Sequence, residues 1–288
     1  MGDLSQGFAH LHARSGFSYG FGVAMPEELV RAAAEMGMEA LALTDRDGLY
    51  GVPKFLAASA GTDVSPIVGA EVSIGDGGHL VLLAESMEGY RSLCRLLTSY
   101  RCGSEDRRKL LCPIGAVLEH ADGLVCLTGA MPFGLVPHLV LAGRTGEARA
   151  LLGVLREAFG EGRLYAEITD DRTAGSRRRM RRVAEFAQAR GVPLLATNEV
   201  AYLTPADHKL HDVLVAATNL TALPGPGYRP TDQLYLKSSA EMRTVFRHYP
   251  EALRSAASVA ERCAGTVELA GEIHLPSARL RCVETPEG

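Results

Sequence analysis

Pro26-Glu27-Glu28-Leu29-Val30, closed by Gly37 and followed by Ala40-Leu41-Ala42-Leu43-Thr44-Asp45-Arg46-Asp47, holds one complete unit of the pattern that decides the fold. Proline in the first helical turn already has the φ a helix needs and lacks only an N–H that would find no partner there. The two glutamates complement the positive end of the helix dipole, and glycine ends the helix cheaply in a left-handed conformation. The apolar run that follows is too short for a helix and ends in a cluster of ionisable groups. Working outward, similar short apolar runs recur at 8–13, 67–74, 79–84, 124–128, 164–168 and 193–197. Between them, apolar residues three and four apart predict helices over 52–60, 88–100, 146–159, 177–190 and 205–218. Strand–helix alternation predicts an α/β fold with a parallel sheet, and at this length it favours one barrel over two domains. An open doubly wound sheet is the competing layout. It is weakened because no glycine-rich dinucleotide turn follows the first strand.

The 288 residues are enough to bury a sizeable core, and the breaker Leu223-Pro224-Gly225-Pro226-Gly227 predicts a division into a barrel over 1–222 and a helical extension over 223–288. The extension reads as a short strand over 233–237 and helices beginning near Ser239 and Pro250 that end before Gly265. Gly75-Asp76-Gly77-Gly78 reads as a turn between strands. With a net charge of -4, no tryptophan and 6% aromatic residues, the chain has neither the basic field nor the stacking platforms of a free-standing nucleic-acid binder. The six cysteines form no CxxC pair, and Cys94, Cys126 and Cys263 are expected as buried free thiols in a reducing compartment. The N-terminus has no signal-peptide pattern and no apolar run reaches membrane-spanning length, so a cytoplasmic protein with no membrane partner is expected.

In a parallel barrel the chemistry collects at the C-terminal ends of the strands. His12, Asp45, Glu71 and Glu199 are placed there, with Arg14 and Arg46 among them. His79 instead begins its strand. Imidazole and carboxylate converging at such a rim can hold zinc, manganese or iron and lower the pKa of bound water. Other candidates read more plainly. His10 is expected at a strand edge. His208 and His211 lie three apart on a helix but lack a third partner. The run Arg177-Arg178-Arg179-Met180-Arg181-Arg182 spreads around its helix, with Asp170, Asp171 and Glu185 available for pairing.

These segments together resemble the polymerase and histidinol phosphatase (PHP) domain found at the N-terminus of bacterial C-family DNA polymerases, in both the DNA polymerase III α and the error-prone branches. The resemblance runs through Pro26-Glu27-Glu28-Leu29-Val30, the run from Ala40 to Gly51, Val68-Gly69-Ala70-Glu71 and His79-Leu80-Val81-Leu82-Leu83-Ala84. It continues in Ala196-Thr197-Asn198-Glu199, His211-Asp212-Val213-Leu214 and Leu234-Tyr235-Leu236-Lys237-Ser238-Ser239. It implies a distorted seven-stranded (β/α)7 TIM-like barrel. Metal-binding members carry nine ligands around three metals, and the resemblance assigns His12, Glu71 and His79 to three of them. Arg14 falls on a second histidine, Phe21 on an aspartate, Arg46 on a histidine after Asp45, and Ala130 on a cysteine or histidine. Glu199 and Ala201 stand for a closing Asp-x-His. The implied site is vestigial, with Arg14 and Arg46 replacing metals and pairing with Glu71, Glu199 or Asp45, and no cofactor is expected. The alternative keeps zinc or manganese on His12, Glu71, His79 and Glu199, giving a phosphoesterase or 3′–5′ exonuclease. The implied partners are a DNA polymerase core or other replication or translesion proteins, with DNA contacted indirectly or weakly. The palm's acidic triad has no counterpart in this chain.

Overall fold

The computed structural model describes residues 8–75, 78–102, 111–225 and 228–269. The elements run α1 (Pro26–Glu35), β1 (Ala40–Leu43), α2 (Val52–Ser59), β2 (Ser65–Ile74), β3 (Gly78–Ala84), α3 (Met87–Cys102), α4 (Ile114–Glu119), β4 (Leu124–Leu127) and α5 (Leu135–Leu141). They continue with α6 (Thr145–Phe159), β5 (Leu164–Ile168), α7 (Ser176–Gln188), β6 (Leu194–Ala196), a 3-10 turn (Pro205–Asp207), α8 (His208–Asn219), α9 (Ser239–Val245) and α10 (Pro250–Cys263). No helix among the described residues is long and apolar enough to cross a membrane.

The six strands form one curled sheet in sequence order, a half-barrel with helices on its outer face. The sheet is not all parallel. β3 runs antiparallel to both β2 and β4, while the other neighbours are parallel. The reason is the connection: only residues 75–77 join β2 to β3, and a parallel return needs a crossover of about a dozen residues or more. One consequence concerns His79. Because β3 is reversed, its first residues lie at the same rim as the C-terminal ends of the parallel strands, opposite Ser73 of β2. An imidazole that begins its strand thus still reaches the site.

Residues 8–13, expected as the first strand, make isolated parallel bridges, His10 to Leu41 and Ala13 to Val200. Ala42 N–H donates to His10 O on one side and Val200 N–H to His12 O on the other. The strand expected over 233–237 is reduced to a single bridge between Tyr202 and Tyr235. The two short helices α4 and α5 lie where no helix is predicted. α5, Leu-Val-Pro-His-Leu-Val-Leu, is apolar around most of its circumference and shows no amphipathic period.

The core is continuous. Strand residues such as Leu41, Ile67, Leu82 and Leu195 share one apolar cluster with Met242, Phe246, Val259 and Cys263 from α9 and α10. Ser238 caps α9 reciprocally: its hydroxyl accepts from Glu241 N–H, and the Glu241 carboxylate accepts from Ser238 N–H. Cys112, Cys126 and Cys263 are buried free thiols, Cys94 is half-buried and Cys102 exposed; Cys282 lies outside the described residues.

Candidate functional site

The rim gathers most of the residues expected from the sequence. Backbone pairing between Arg46 and Glu71 sets the β1 and β2 ends side by side, and Glu71 N–H donates to Asp45 O. His12 and Arg14 arrive from the segment bridged to β1, and Glu199 follows β6. Two rim residues hold the left-handed region that non-glycine residues rarely adopt, Asp47 at φ 51° and Glu199 at φ 50°. Glu199 is kept there by its neighbour: Asn198 Nδ2 donates to Gln233 O and Tyr235 O at 2.9 and 2.7 Å.

Glu71 is the centre. Its Oε2 accepts from His12 Nε2 at 2.9 Å and from Arg14 Nε at 2.8 Å, and Arg46 Nε lies 3.7 Å from Oε1. Arg14 reaches across to Glu199, donating from Nη2. Glu199 also receives Arg229 Nη1 on both oxygens at 3.1 Å. The Arg46 guanidinium lies 4.2 Å above the Phe21 ring and donates to Ser73 Oγ. Asp45 takes no arginine. It accepts from the Ser15 N–H and from the hydroxyls of Ser15 and Ser18, so its expected pairing with Arg14 or Arg46 is not what forms.

His12 has a carboxylate on each nitrogen, Glu71 at Nε2 and Glu167 Oε1 at Nδ1, 2.8 Å away. Carboxylate oxygens only accept, so both ring nitrogens carry protons and the ring is an imidazolium. Burial opposes that charge, yet the field and hydrogen bond of Glu167, with help from Glu71, bring its pKa up to about 9. Glu71 is fully buried, which alone would raise its pKa, but the charge of Arg14 and the hydrogen bond from His12 hold it well below the usual carboxylate range. Against the same burial, Arg229 and Arg14 draw Glu199 down to about 2. His79 behaves differently: burial pushes it down, and its Nε2 accepts from Ala130 N–H at 3.0 Å, so the ring is neutral.

Glu167 and Arg229 escape sequence reasoning. Glu167 is an acid inside the apolar strand Leu-Tyr-Ala-Glu-Ile, and a charge in a buried strand was the available signal. Arg229 follows the Pro-Gly breaker, and nothing in its local pattern points to the rim. Of the residues read more plainly at first, His211 alone reaches the rim cavity. His10 is fully buried rather than at an edge, with Nε2 2.8 Å from Lys237 O. His208 Nδ1 lies 2.9 Å from Pro205 O. His211 is buried and lines the rim cavity, but burial drives its pKa down to about 4. In the basic run, Arg177 pairs with Asp170, Arg179 with Asp171 and Arg181 with Glu185.

A cavity of about 300 Å³ opens above the cluster, lined among others by Arg14, Phe21, His79, Phe133, Glu199 and Arg229. One ligand atom each from His12, Glu71 and His79 lies within 4.8 Å of the others, close enough to share a cation.

An α/β half-barrel with imidazole, carboxylate and guanidinium converging at one rim is the class that this fold and site define. Residues 10–171 match the family model of the PHP domain, and the chain belongs to that family. It is 35% identical over 284 residues to an error-prone DNA polymerase of Symbiobacterium thermophilum, covering 93% of this chain and 26% of the relative. It is 33% identical to a DNA polymerase III subunit alpha of Pseudomonas aeruginosa, covering 95% of this chain and 24% of the relative. The chain therefore spans about a quarter of the length of the curated relatives it matches. A two-domain protein of Bacteroides vulgatus containing a predicted PHP-like metal-dependent phosphoesterase superposes with a TM-score of 0.45 at 14% identity, over 70% of this chain and 55% of that one.

Proposed function

We propose that this chain is a PHP module whose metal positions have been taken over by covalently attached cations, and that it serves a DNA polymerase as a scaffold rather than as a hydrolase. The observation that carries the reading is how many of the candidate ligand atoms are already committed to protons or cationic side chains. Both His12 nitrogens are protonated, the His79 Nε2 lone pair accepts from Ala130, and Glu71 Oε2 is shared between His12 and Arg14. Arg14 pairs with Glu71 and Glu199, Arg46 approaches Glu71 and Asp47, and Arg229 pairs with Glu199 and Asp171. Four cationic groups face carboxylates that a metal centre would need for itself, so the residues present do not fit a divalent ion. The segment over 8–13 is read as a seventh stave, since it bridges β1 and Val200, and the residues after 222 as the extension toward a polymerase core.

The second reading, a metal-dependent phosphoesterase, is favoured by the mutual approach of His12, Glu71 and His79 within 4.8 Å. Elemental analysis of the purified chain, with manganese-stimulated hydrolysis of p-nitrophenyl phosphate and single-stranded DNA, separates the two. We expect metal far below one equivalent and no hydrolysis above a Glu71→Ala control. Stoichiometric zinc or manganese lost in Glu71→Ala would sink the scaffold reading.

A further inference from the structure

A second basic site lies away from the rim. α6 carries Arg149, Leu152, Gly153 and Arg156 at helical spacing that places all four on one face. Together with Ala189 and Arg190, which follow α7, they line a groove of about 550 Å³. Both helices end shortly before a strand, α6 before β5 and α7 before β6. The Arg156 and Arg190 end of the groove therefore lies toward the N-terminal ends of those strands, the opposite end of the sheet from the rim cluster.

Among the described residues, none of these three arginines is in an ion pair. Arg156 Nη2 donates to Arg190 O at 2.6 Å, and Arg190 Nη1 donates to Phe186 O at 2.7 Å. The Arg190 guanidinium lies 3.6 Å over the Phe186 ring, and its buried Nε has no acceptor. Arg156 and Arg190 are thus oriented by backbone oxygens and a ring, with no carboxylate spent on either charge. Several other surface arginines are instead paired with carboxylates: Arg91 and Arg95 with Glu88, Arg163 and Arg262 with Glu85, Arg144 with Glu147. Gly153 leaves the middle of the groove open, since a Cβ there would meet no neighbouring atom.

We infer that this groove binds the sugar-phosphate backbone of a nucleic-acid strand. Guanidinium forks match phosphate oxygens bidentately. Arg149 and Arg156 lie two helical turns apart, roughly 10 Å along the axis, a spacing that lets each take a different phosphate of one chain. The groove offers no base-reading group, so binding is independent of sequence and salt-sensitive. With a net charge of -4 the contact is weak on its own and contributes most when the module is already held near a strand. The inference does not rest on the metal-free reading of the rim.

The test is fluorescence anisotropy of a labelled oligo-dT with the full chain across 25–200 mM salt. The wild type should bind with a dissociation constant of about 10⁻⁴ to 10⁻⁶ M. An Arg149→Gln/Arg156→Gln double variant should bind at least tenfold more weakly at low salt. Its slope of log K against log salt should fall by about 1.4, two single-strand phosphate contacts. Both side chains are exposed, so the variant should melt with the wild type, whereas Arg190→Gln also loses its stacking on Phe186. Arg91→Gln/Arg95→Gln, which removes the same charge from α3, should leave binding unchanged. The inference is overturned by no wild-type binding at 25 mM salt, by an unchanged double variant, or by an equal loss in the α3 control. Competition by inorganic phosphate or poly-glutamate as effective as that by unlabelled oligonucleotide would also overturn it.

Discussion

Arg14 is the residue on which the rim turns. It is 4% exposed and bridges two buried carboxylates, Glu71 and Glu199. Removing one partner of a buried ion pair leaves the other as an uncompensated charge, a loss of about 3–5 kcal/mol. Arg14→Met keeps much of the volume and deletes the charge, so its unfolding free energy from urea titration should drop by an amount in that range. A change under about 1 kcal/mol would mean that His12 and Arg229 suffice without it. His12, Arg14, Glu71, His79 and Glu199 were legible in the sequence because each lies at or near a strand end, where the family pattern could be laid over them. Glu167 and Arg229 were not, because one is hidden mid-strand and the other is delivered by a loop whose reach no periodicity encodes. Asp45 was placed at the right end, but its serine partners follow from the local turn of residues 15–18, which charge arithmetic does not see.

At the scale of elements, the antiparallel β3 determines which residues meet. The turn expected over 75–78 includes residues 76 and 77, which lie outside the described residues, but the mere three residues between β2 and β3 already demanded an antiparallel return; the expectation of a parallel sheet ignored that constraint. Most helices were legible because they are amphipathic. α5 was not, since it is buried on most sides and its proline sits in the first turn, where a helix tolerates it. The approach of α5 to the rim depends on the turn at 129–134. Gly129 has φ 89°, and a Cβ there would lie 2.2 Å from His79 O and 2.5 Å from Gly134 Cα. These are backbone atoms that cannot swing aside. Gly129→Ala should therefore destabilise the protein by about 2 kcal/mol or more, adding left-handed strain to overlap. It should also move His79, read as a shift of its imidazole resonances in NMR spectra. An alanine variant as stable as the wild type, with those resonances unmoved, would refute the close approach.

For the molecule as a whole, the sequence breaker at 223–227 suggested two parts, whereas the apolar core runs through both. Met242, Phe246, Val259 and Cys263 are buried in the same cluster as the strands, and Gly265 N–H donates to Pro66 O at the start of β2. Cutting the chain after residue 222 would expose that face to water at roughly 25 cal/mol per Å² of apolar surface. Since a domain of this kind is stable by only about 5–15 kcal/mol, a 1–222 fragment should not melt cooperatively in circular dichroism. A fragment with a sharp transition near that of the full chain would favour the two-part division.

On the proposed reading of the rim, its guanidinium groups also change what the molecule's stability depends on. A metal centre ties folding to the free concentration of its ion: each tenfold drop in that concentration weakens the folded state by about 1.4 kcal/mol, and chelators act as denaturants. A cation carried on the chain has no free concentration. Arg14, Arg46 and Arg229 can be neither diluted away nor chelated nor exchanged for a competing ion. On this reading the module holds one stability through changes in metal supply that would unfold or silence a relative dependent on its ions.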